Sequence, residues 1–246
     1  MTRSNEAPLA GASSTLPYQA PRHASRHARA WLEPSTWRKY LRSSHDACAL
    51  DALENWIAKG RPAVARRREA SAGDACGLSI ALAIALPLAE ARARIPFVVD
   101  SRAVVRLAQP LRLGDVIASA PRAWRAALHD LVMRGERSGT AFNVYGSLAW
   151  QHITGEPCVT PESDVDLLWT ARDMTHIERT LALLVGWERE RGLRADGELL
   201  MPGGRACAWR ELLSRPERVL VKTDDGVAMF DSPLSASPLC AVEKVA

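Results

Sequence analysis

Tyr145-Gly146-Ser147-Leu148-Ala149-Trp150 and Ser163-Asp164-Val165-Asp166-Leu167-Leu168-Trp169 together read as a strand end, a Gly-Ser turn, a short helix and a second strand bearing two carboxylates. Residues two apart on a strand face the same way, about 6.6 Å apart, so Asp164 and Asp166 project together while Val165, Leu167 and Trp169 pack behind them. Two hard carboxylates beside a turn able to receive a phosphate are what Mg²⁺-dependent phosphoryl or nucleotidyl transfer requires. An isolated Asp-x-Asp is most often a solvated strand. The upstream Gly-Ser turns it into a candidate metal platform with Asp164 and Asp166 as ligands. Gly146 lets the backbone approach a ligand closely, and a helix over Leu148–Ile153 begins directly afterwards. Its free N–H groups, with the Ser147 hydroxyl, form a candidate phosphate cradle.

Transfer chemistry of this kind usually needs a third carboxylate on a neighbouring strand, to complete the metal site or to activate the attacking hydroxyl. Asp196 and Glu198 share one face of a strand expected over Arg194–Met201 and are both candidates, Asp196 being favoured; the competing reading takes Asp196-Gly197 as a turn dipeptide. Lys222 closes the apolar strand Val219-Leu220-Val221 and is placed to neutralise a leaving pyrophosphate, unless it is an ordinary surface lysine. Arg66, Arg67 and Arg68 offer planar donor forks for phosphate, or else form a solvated basic run.

Around these residues the chain divides in three. Residues 1–24 are rich in Ala, Ser, Pro and Thr and read as a disordered extension. Residues 25–120 read as a smaller α+β domain. It holds a helix over Ser44–Ala58 stopped by Gly60-Arg61-Pro62, a short strand at Ala63-Val64-Ala65, a buried apolar element between Leu78 and Ala89, and β-rich sequence from Ile95 to Leu107. Residues 121–246 read as the catalytic domain, entered through a helix from Pro121 to Arg137 closed by Gly139. Strand Phe142–Tyr145, helix Leu148–Ile153, strand Val165–Trp169 and helix Met174–Arg191 with Asp173 as N-cap follow. Strand Arg194–Met201, a Pro202-Gly203-Gly204 turn, a helix near Trp209–Leu213 and strand Arg218–Thr223 complete it. The order predicts an α+β (α/β-like) fold with a mixed sheet.

The net charge of +4 hides an asymmetry: residues 1–120 hold 17 Lys+Arg against 10 Asp+Glu (+7), and residues 121–246 hold 15 against 18 (−3). A basic half beside a carboxylate-bearing half suits a phosphate-rich ligand held against a divalent metal. The acidic second half, with no aromatic-studded basic stripe beside the motif, argues against nucleic acid as partner. Five scattered cysteines and six histidines without ligand spacing point to free thiols and no transition-metal site. The longest apolar run is too short to span a bilayer and the N-terminus lacks a signal-peptide core, so no membrane association and a cytoplasmic location are expected.

Val144-Tyr145-Gly146-Ser147-Leu148-Ala149-Trp150-Gln151, Thr154-Gly155 and Ser163-Asp164-Val165-Asp166-Leu167-Leu168 closely resemble the malonate decarboxylase holo-acyl-carrier-protein synthase family, the phosphoribosyl-dephospho-CoA transferases of the nucleotidyltransferase superfamily. Arg26-His27 with Trp31-Leu32, Gly60-Arg61-Pro62 with Arg66-Arg67, Asp196-Gly197-Glu198, and Ala208-Trp209-Arg210-Glu211 before Val219-Leu220-Val221-Lys222 extend the resemblance over most of residues 26–230. Two departures stand out: His27-Ala28-Arg29-Ala30-Trp31 replaces the family's His-Asp-Leu-Leu-Trp, and a basic dipeptide is reduced to Ala93-Arg94. The resemblance implies transfer of a phosphoribosyl-dephospho-CoA unit from 2′-(5″-triphosphoribosyl)-3′-dephospho-CoA to a serine of the apo acyl-carrier subunit, releasing pyrophosphate. Rival readings are a nucleotidyltransferase acting on a small hydroxyl compound or RNA, and a catalytically silent binding module of the same fold.

Overall fold

The computed structural model describes residues 24–41, 47–66, 79–86, 94–223 and 226–234. The expected extension, apart from Ala24, and the basic residues Arg67 and Arg68 lie outside the described residues.

The N-terminal half comprises β1 (Arg29–Leu32), α1 (Pro34–Leu41), α2 (Ala47–Ala58), β2 (Ala63–Ala65), β3 (Ser79–Ala85), β4 (Arg94–Asp100) and β5 (Val104–Ala108). Its five strands form an antiparallel sheet in the order β4-β3-β2-β1-β5. The apolar run read as a buried element is β3: Ile80, Leu82 and Ile84 alternate along it and are buried with Trp37, Leu53 and Trp56 in one core. Small residues at Ala28, Ala30, Ala63 and Ala65 complete that core.

The second half continues with β6 (Leu111–Arg112), α3 (Leu113–Val116), α4 (Arg122–Ser138), β7 (Asn143–Val144), α5 (Gly146–Thr154), β8 (Val165–Thr170) and α6 (Met174–Arg191). It ends with β9 (Ala195–Met201), β10 (Arg205–Ala208), β11 (Arg218–Lys222) and β12 (Val227–Asp231). These seven strands lie in sequence order across one sheet, antiparallel except for β8 and β9. A parallel neighbour needs a long crossover, and α6 supplies it. That helix starts where Asp173 accepts the His176 N–H at 2.7 Å and stops at left-handed Gly192. The mixed α+β sheet is as the element order predicts. The helix expected near Trp209–Leu213 is a 3₁₀ turn over Glu211–Ser214.

The core lies on one face of this sheet. Leu128 and Leu131 of α4 and Leu184 and Trp187 of α6 pack against Val165, Leu167, Trp169, Ala195 and Leu199. Strand alternation therefore turns Asp164, Asp166, Asp196 and Glu198 to the opposite face. Asp196-Gly197 is no turn: Gly197 sits inside β9 at φ 134°, where a Cβ would lie 1.9 Å from the Leu167 carbonyl oxygen of β8. Only glycine lets the two strands approach so closely.

The N-terminal half docks against this second face and α5. Trp150 meets Trp56 edge-on with ring centroids 5.4 Å apart. Arg61 donates to the Thr154 carbonyl at 2.7 Å and pairs with Glu156 at 2.6 Å. Gln151 donates to the Ser119 carbonyl at 2.6 Å while its Oε1 accepts the Cys158 and Val159 N–H groups, both at 3.0 Å.

Candidate active site

The register of β8 on β9 sets Asp166 directly beside Asp196, and Leu168 beside Glu198. Asp164 stands just before β8, with the Arg194 Nε at 3.9 Å. The main chain before α5 hydrogen-bonds to the same strand, the Tyr145 N–H donating to the Asp166 carbonyl at 3.1 Å. Gly146 then takes φ 63°, and a Cβ there would lie 1.7 Å from Asp166 Oδ2. The Gly-Ser turn and the Asp-x-Asp strand are thus in contact. Helix α5 begins at Gly146 itself, earlier than the Leu148 expected from sequence. Gly146→Ala is expected to lose about a hundredfold in transfer at modest cost in stability, because displacing Asp166 disturbs the site more than the fold. Steady-state kinetics with thermal melts checks this.

Burial, reinforced by the charges of Asp164 and Asp196 and opposed by Arg94, pushes the Asp166 carboxyl up to about 7. Three carboxylates with too little positive charge among them are short of a cation. Among the described residues no group of three or more His, Cys, Asp or Glu is placed to hold a metal ion together, so a cation here would take at most two protein carboxylates. The donor set fits an ion that takes few protein oxygens and fills its remaining positions with water or substrate phosphate, as Mg²⁺ does.

Glu198 is engaged differently. Its side chain is 4% exposed and accepts a two-point hydrogen bond from Arg26, Nε to Oε2 and Nη2 to Oε1, both at 3.1 Å. Lys222 Nζ donates to Oε1 at 2.7 Å, and His27 Nε2 lies 3.4 Å from Oε2. Burial works to raise its pKa, yet the His27 and Lys222 hydrogen bonds and the Arg26 charge outweigh it and hold the carboxyl well below the ordinary glutamate range. Lys222, expected to face pyrophosphate, is tied to this carboxylate. Asp196 is freer: its side chain is 39% exposed, Oδ1 accepts the Gly197 N–H at 2.8 Å, and Arg210 lies at 3.9 Å.

Between the halves runs a cleft of about 250 Å³. Asp166, Gly146 and Tyr145 line one side, and Arg26, His27, Arg29, Arg66 and Arg94 come from the N-terminal half. Arg66 is therefore where a phosphate-binding arginine is expected, whereas Ser147 is half-buried at the start of α5 and does not line the cleft. The residues missed by the motif reading are Arg26, His27, Arg29, Arg94 and Tyr145. His27 has φ 60° and stacks on Tyr145 with ring centroids 4.0 Å apart. Burial and the charges of Asp166, Glu198 and Asp196 hold the Tyr145 hydroxyl above its ordinary range, so it stays protonated. Arg26-His27 stood out only as a short piece of family resemblance, since nothing in its spacing shows that it crosses to the other half.

Residues 110–233 match the family described as phosphoribosyl-dephospho-CoA transferase MdcG C-terminal domain. Residues 25–110 match the corresponding N-terminal domain. The chain belongs to the phosphoribosyl-dephospho-CoA transferase family. It is 37% identical over 218 residues to the phosphoribosyl-dephospho-CoA transferase of Xanthomonas campestris pv. campestris (strain 8004), covering 89% of this chain and 99% of that one. It is 34% identical over 210 residues to the protein of that name from Bradyrhizobium diazoefficiens, covering 85% and 91%. No solved structure gives a significant match.

The two family regions meet at residue 110, where the first sheet gives way to the second between Ala108 and Leu111. Residues that set this transferase family apart in the sequence are framework here. Trp150 and Gln151 dock the halves and the loop after α5, while Arg210 bonds Glu188 of α6 and the Ala195 carbonyl of β9, so fixing the strand that carries Asp196. No helix among the described residues is long and apolar enough to cross a membrane.

Proposed function

We propose that the chain is a Mg²⁺-dependent nucleotidyltransferase that moves a phosphoribosyl-dephospho-CoA unit from its triphosphate donor to a serine of the apo acyl-carrier subunit of malonate decarboxylase. The observation that carries this is a single cleft lined by Asp166, with Asp164 and Asp196 beside it on the same sheet, and by four arginines from the other half. Such a cleft suits a polyphosphate ligand far better than a neutral one. Asp164 and Asp166 hold the ion, with Asp196 beside them as the third carboxylate. The ion, when bound, neutralises charge on the donor's phosphates. Arg66, Arg94 and Arg29 bind the donor's remaining anionic groups, and the backbone at Gly146 admits the phosphate chain next to Asp166. The acceptor oxygen forms a bond to the α-phosphorus as the bond to pyrophosphate breaks.

Intact mass spectrometry of apo-carrier incubated with the protein, donor and Mg²⁺ tests the reading. A mass gain equal to the prosthetic group with pyrophosphate release is expected. ATP replacing the donor without loss of rate would instead support a nucleotidyltransferase of other specificity, and donor binding without turnover a silent module.

A further inference from the structure

We propose that His27, oriented by Glu198, is the group that takes the proton from the attacking hydroxyl; the idea rests on the transfer reaction proposed above. Nucleotidyl transfer needs a proton acceptor near the reacting phosphorus, and the carboxylates are poorly suited to it. Glu198 is closed in by Arg26, Lys222 and His27. Asp164 and Asp166 hold the cation in the reaction proposed above, and Asp196 accepts the Gly197 N–H and does not line the cleft.

His27 sits where an acceptor is needed. It lines the cleft together with Asp166, and its ring stacks on Tyr145, whose neighbour Gly146 is in contact with Asp166 Oδ2. Nε2 faces the Glu198 carboxylate at 3.4 Å, a loose contact of the kind that tightens when substrate closes a site. An ionised carboxylate accepts and never donates, so Nε2 carries the hydrogen and the lone pair is left on Nδ1. Among the described residues Nδ1 has no hydrogen-bond partner. A carboxylate holding one imidazole nitrogen so that the other acts as base is a recurring arrangement in catalysis.

The backbone supports the same reading. His27 occupies the left-handed region at φ 60°, a conformation uncommon for a side-chain-bearing residue and found preferentially where function requires it. The Ala65 carbonyl, accepting the His27 N–H at 3.0 Å, helps hold it there. The charged or titratable groups facing the ring are Glu198 on β9, Lys222 on β11, Arg26 beside it, and Tyr145 before α5, with Asp166 and Asp196 beyond. In the step, the hydroxyl oxygen bonds to the α-phosphorus and the phosphorus–oxygen bond to pyrophosphate breaks, its electron pair leaving with pyrophosphate. The hydroxyl proton passes to Nδ1. The imidazolium that results is paired with Glu198, and solvent or departing pyrophosphate takes the proton away.

His27→Asn separates this from a merely structural role, because asparagine tolerates a left-handed φ and places an amide where Nδ1 stood but cannot take up a proton. It is expected to lower kcat by about a thousandfold and to leave the melting temperature and tripolyphosphate affinity near wild type. Glu198→Gln is expected to cost about tenfold in kcat. Transfer by His27→Asn at close to the wild-type rate overturns the assignment. Nitrogen-15 NMR of labelled histidine in the full chain tests the dyad without any acceptor. A His27 ring protonated at Nε2 alone near neutral pH supports it, and one neutral but protonated at Nδ1 overturns it. A correct tautomer in a protein that never loads a carrier would count against the proposed function instead.

Discussion

Asp166→Asn is expected to abolish transfer, by at least about a thousandfold, and yet to raise the melting temperature at pH 8. The first effect follows from the metal-binding role proposed for Asp166, at the centre of the carboxylate group beside Asp196 and in contact with Gly146. The second follows from the Asp166 carboxyl being pushed from 3.8 to about 7, chiefly by burial and then by Asp164 and Asp196. A carboxyl whose pKa rises on folding favours the fold fully below the unfolded value of 3.8, and that contribution is lost as the pH rises through about 7. At pH 8 the wild type therefore carries an ionised, crowded Asp166 that the amide lacks, and a gain of a few degrees is expected. The gain shrinks as the pH falls below about 7 and vanishes only near and below 3.8. Mg²⁺ competes with the same proton, so its stabilisation of the wild type should be larger at pH 8 than at pH 6 and be lost in Asp166→Asn. Scanning calorimetry across pH, with and without Mg²⁺, reads all of this. Near wild-type transfer by the variant, with Mg²⁺ dependence intact, would remove Asp166 from the site.

Much of the second half was legible because its signals are local. Asp173 and Gly192 bound α6, Pro121 and Gly139 bound α4, and strand alternation alone puts Asp164 and Asp166 on one face. Asp196 beside Asp166 was anticipated only as a carboxylate on a neighbouring strand, because parallel register depends on the α6 crossover and on Gly197 admitting the close approach of β8. The cleft was not legible. Arg26 and His27 lie 172 and 171 residues from Glu198, and no periodicity reports a contact of that separation. Glu198 shows the limit most clearly. From sequence it is the second choice to Asp196, two residues away on the same strand face; only the packing of the N-terminal half brings Arg26 and His27 to it, beside Lys222 of its own sheet.

The burial of Glu198 among these partners makes Glu198→Ala the most disruptive single change expected outside the two cores. Removing one partner of a buried ion pair leaves the other charge unsatisfied and costs about 3–5 kcal/mol. Arg26, with its side chain 12% exposed, bears most of that cost, while Lys222 at 38% can turn to water. A melting temperature lower by on the order of 10 °C follows for a chain of this length. Because Arg26 and His27 belong to one half and Glu198 to the other, the loss should also loosen the halves, seen as faster hydrogen exchange at β1 and at the start of α5. Acid acts on the same contact. A glutamate held below its ordinary range stabilises the fold fully above the unfolded value of 4.5, and this is lost progressively as the pH falls below it. The melting temperatures of wild type and Glu198→Ala should therefore converge as the pH falls towards 3. Glu198→Gln keeps an oxygen for Arg26 and should recover part of the stability. A Glu198→Ala protein melting with the wild type at pH 7 would mean that Arg26, His27 and Lys222 find other partners, and that contacts such as those of Arg61 and Lys59 with Glu156 and of Trp56 with Trp150 suffice to hold the two halves.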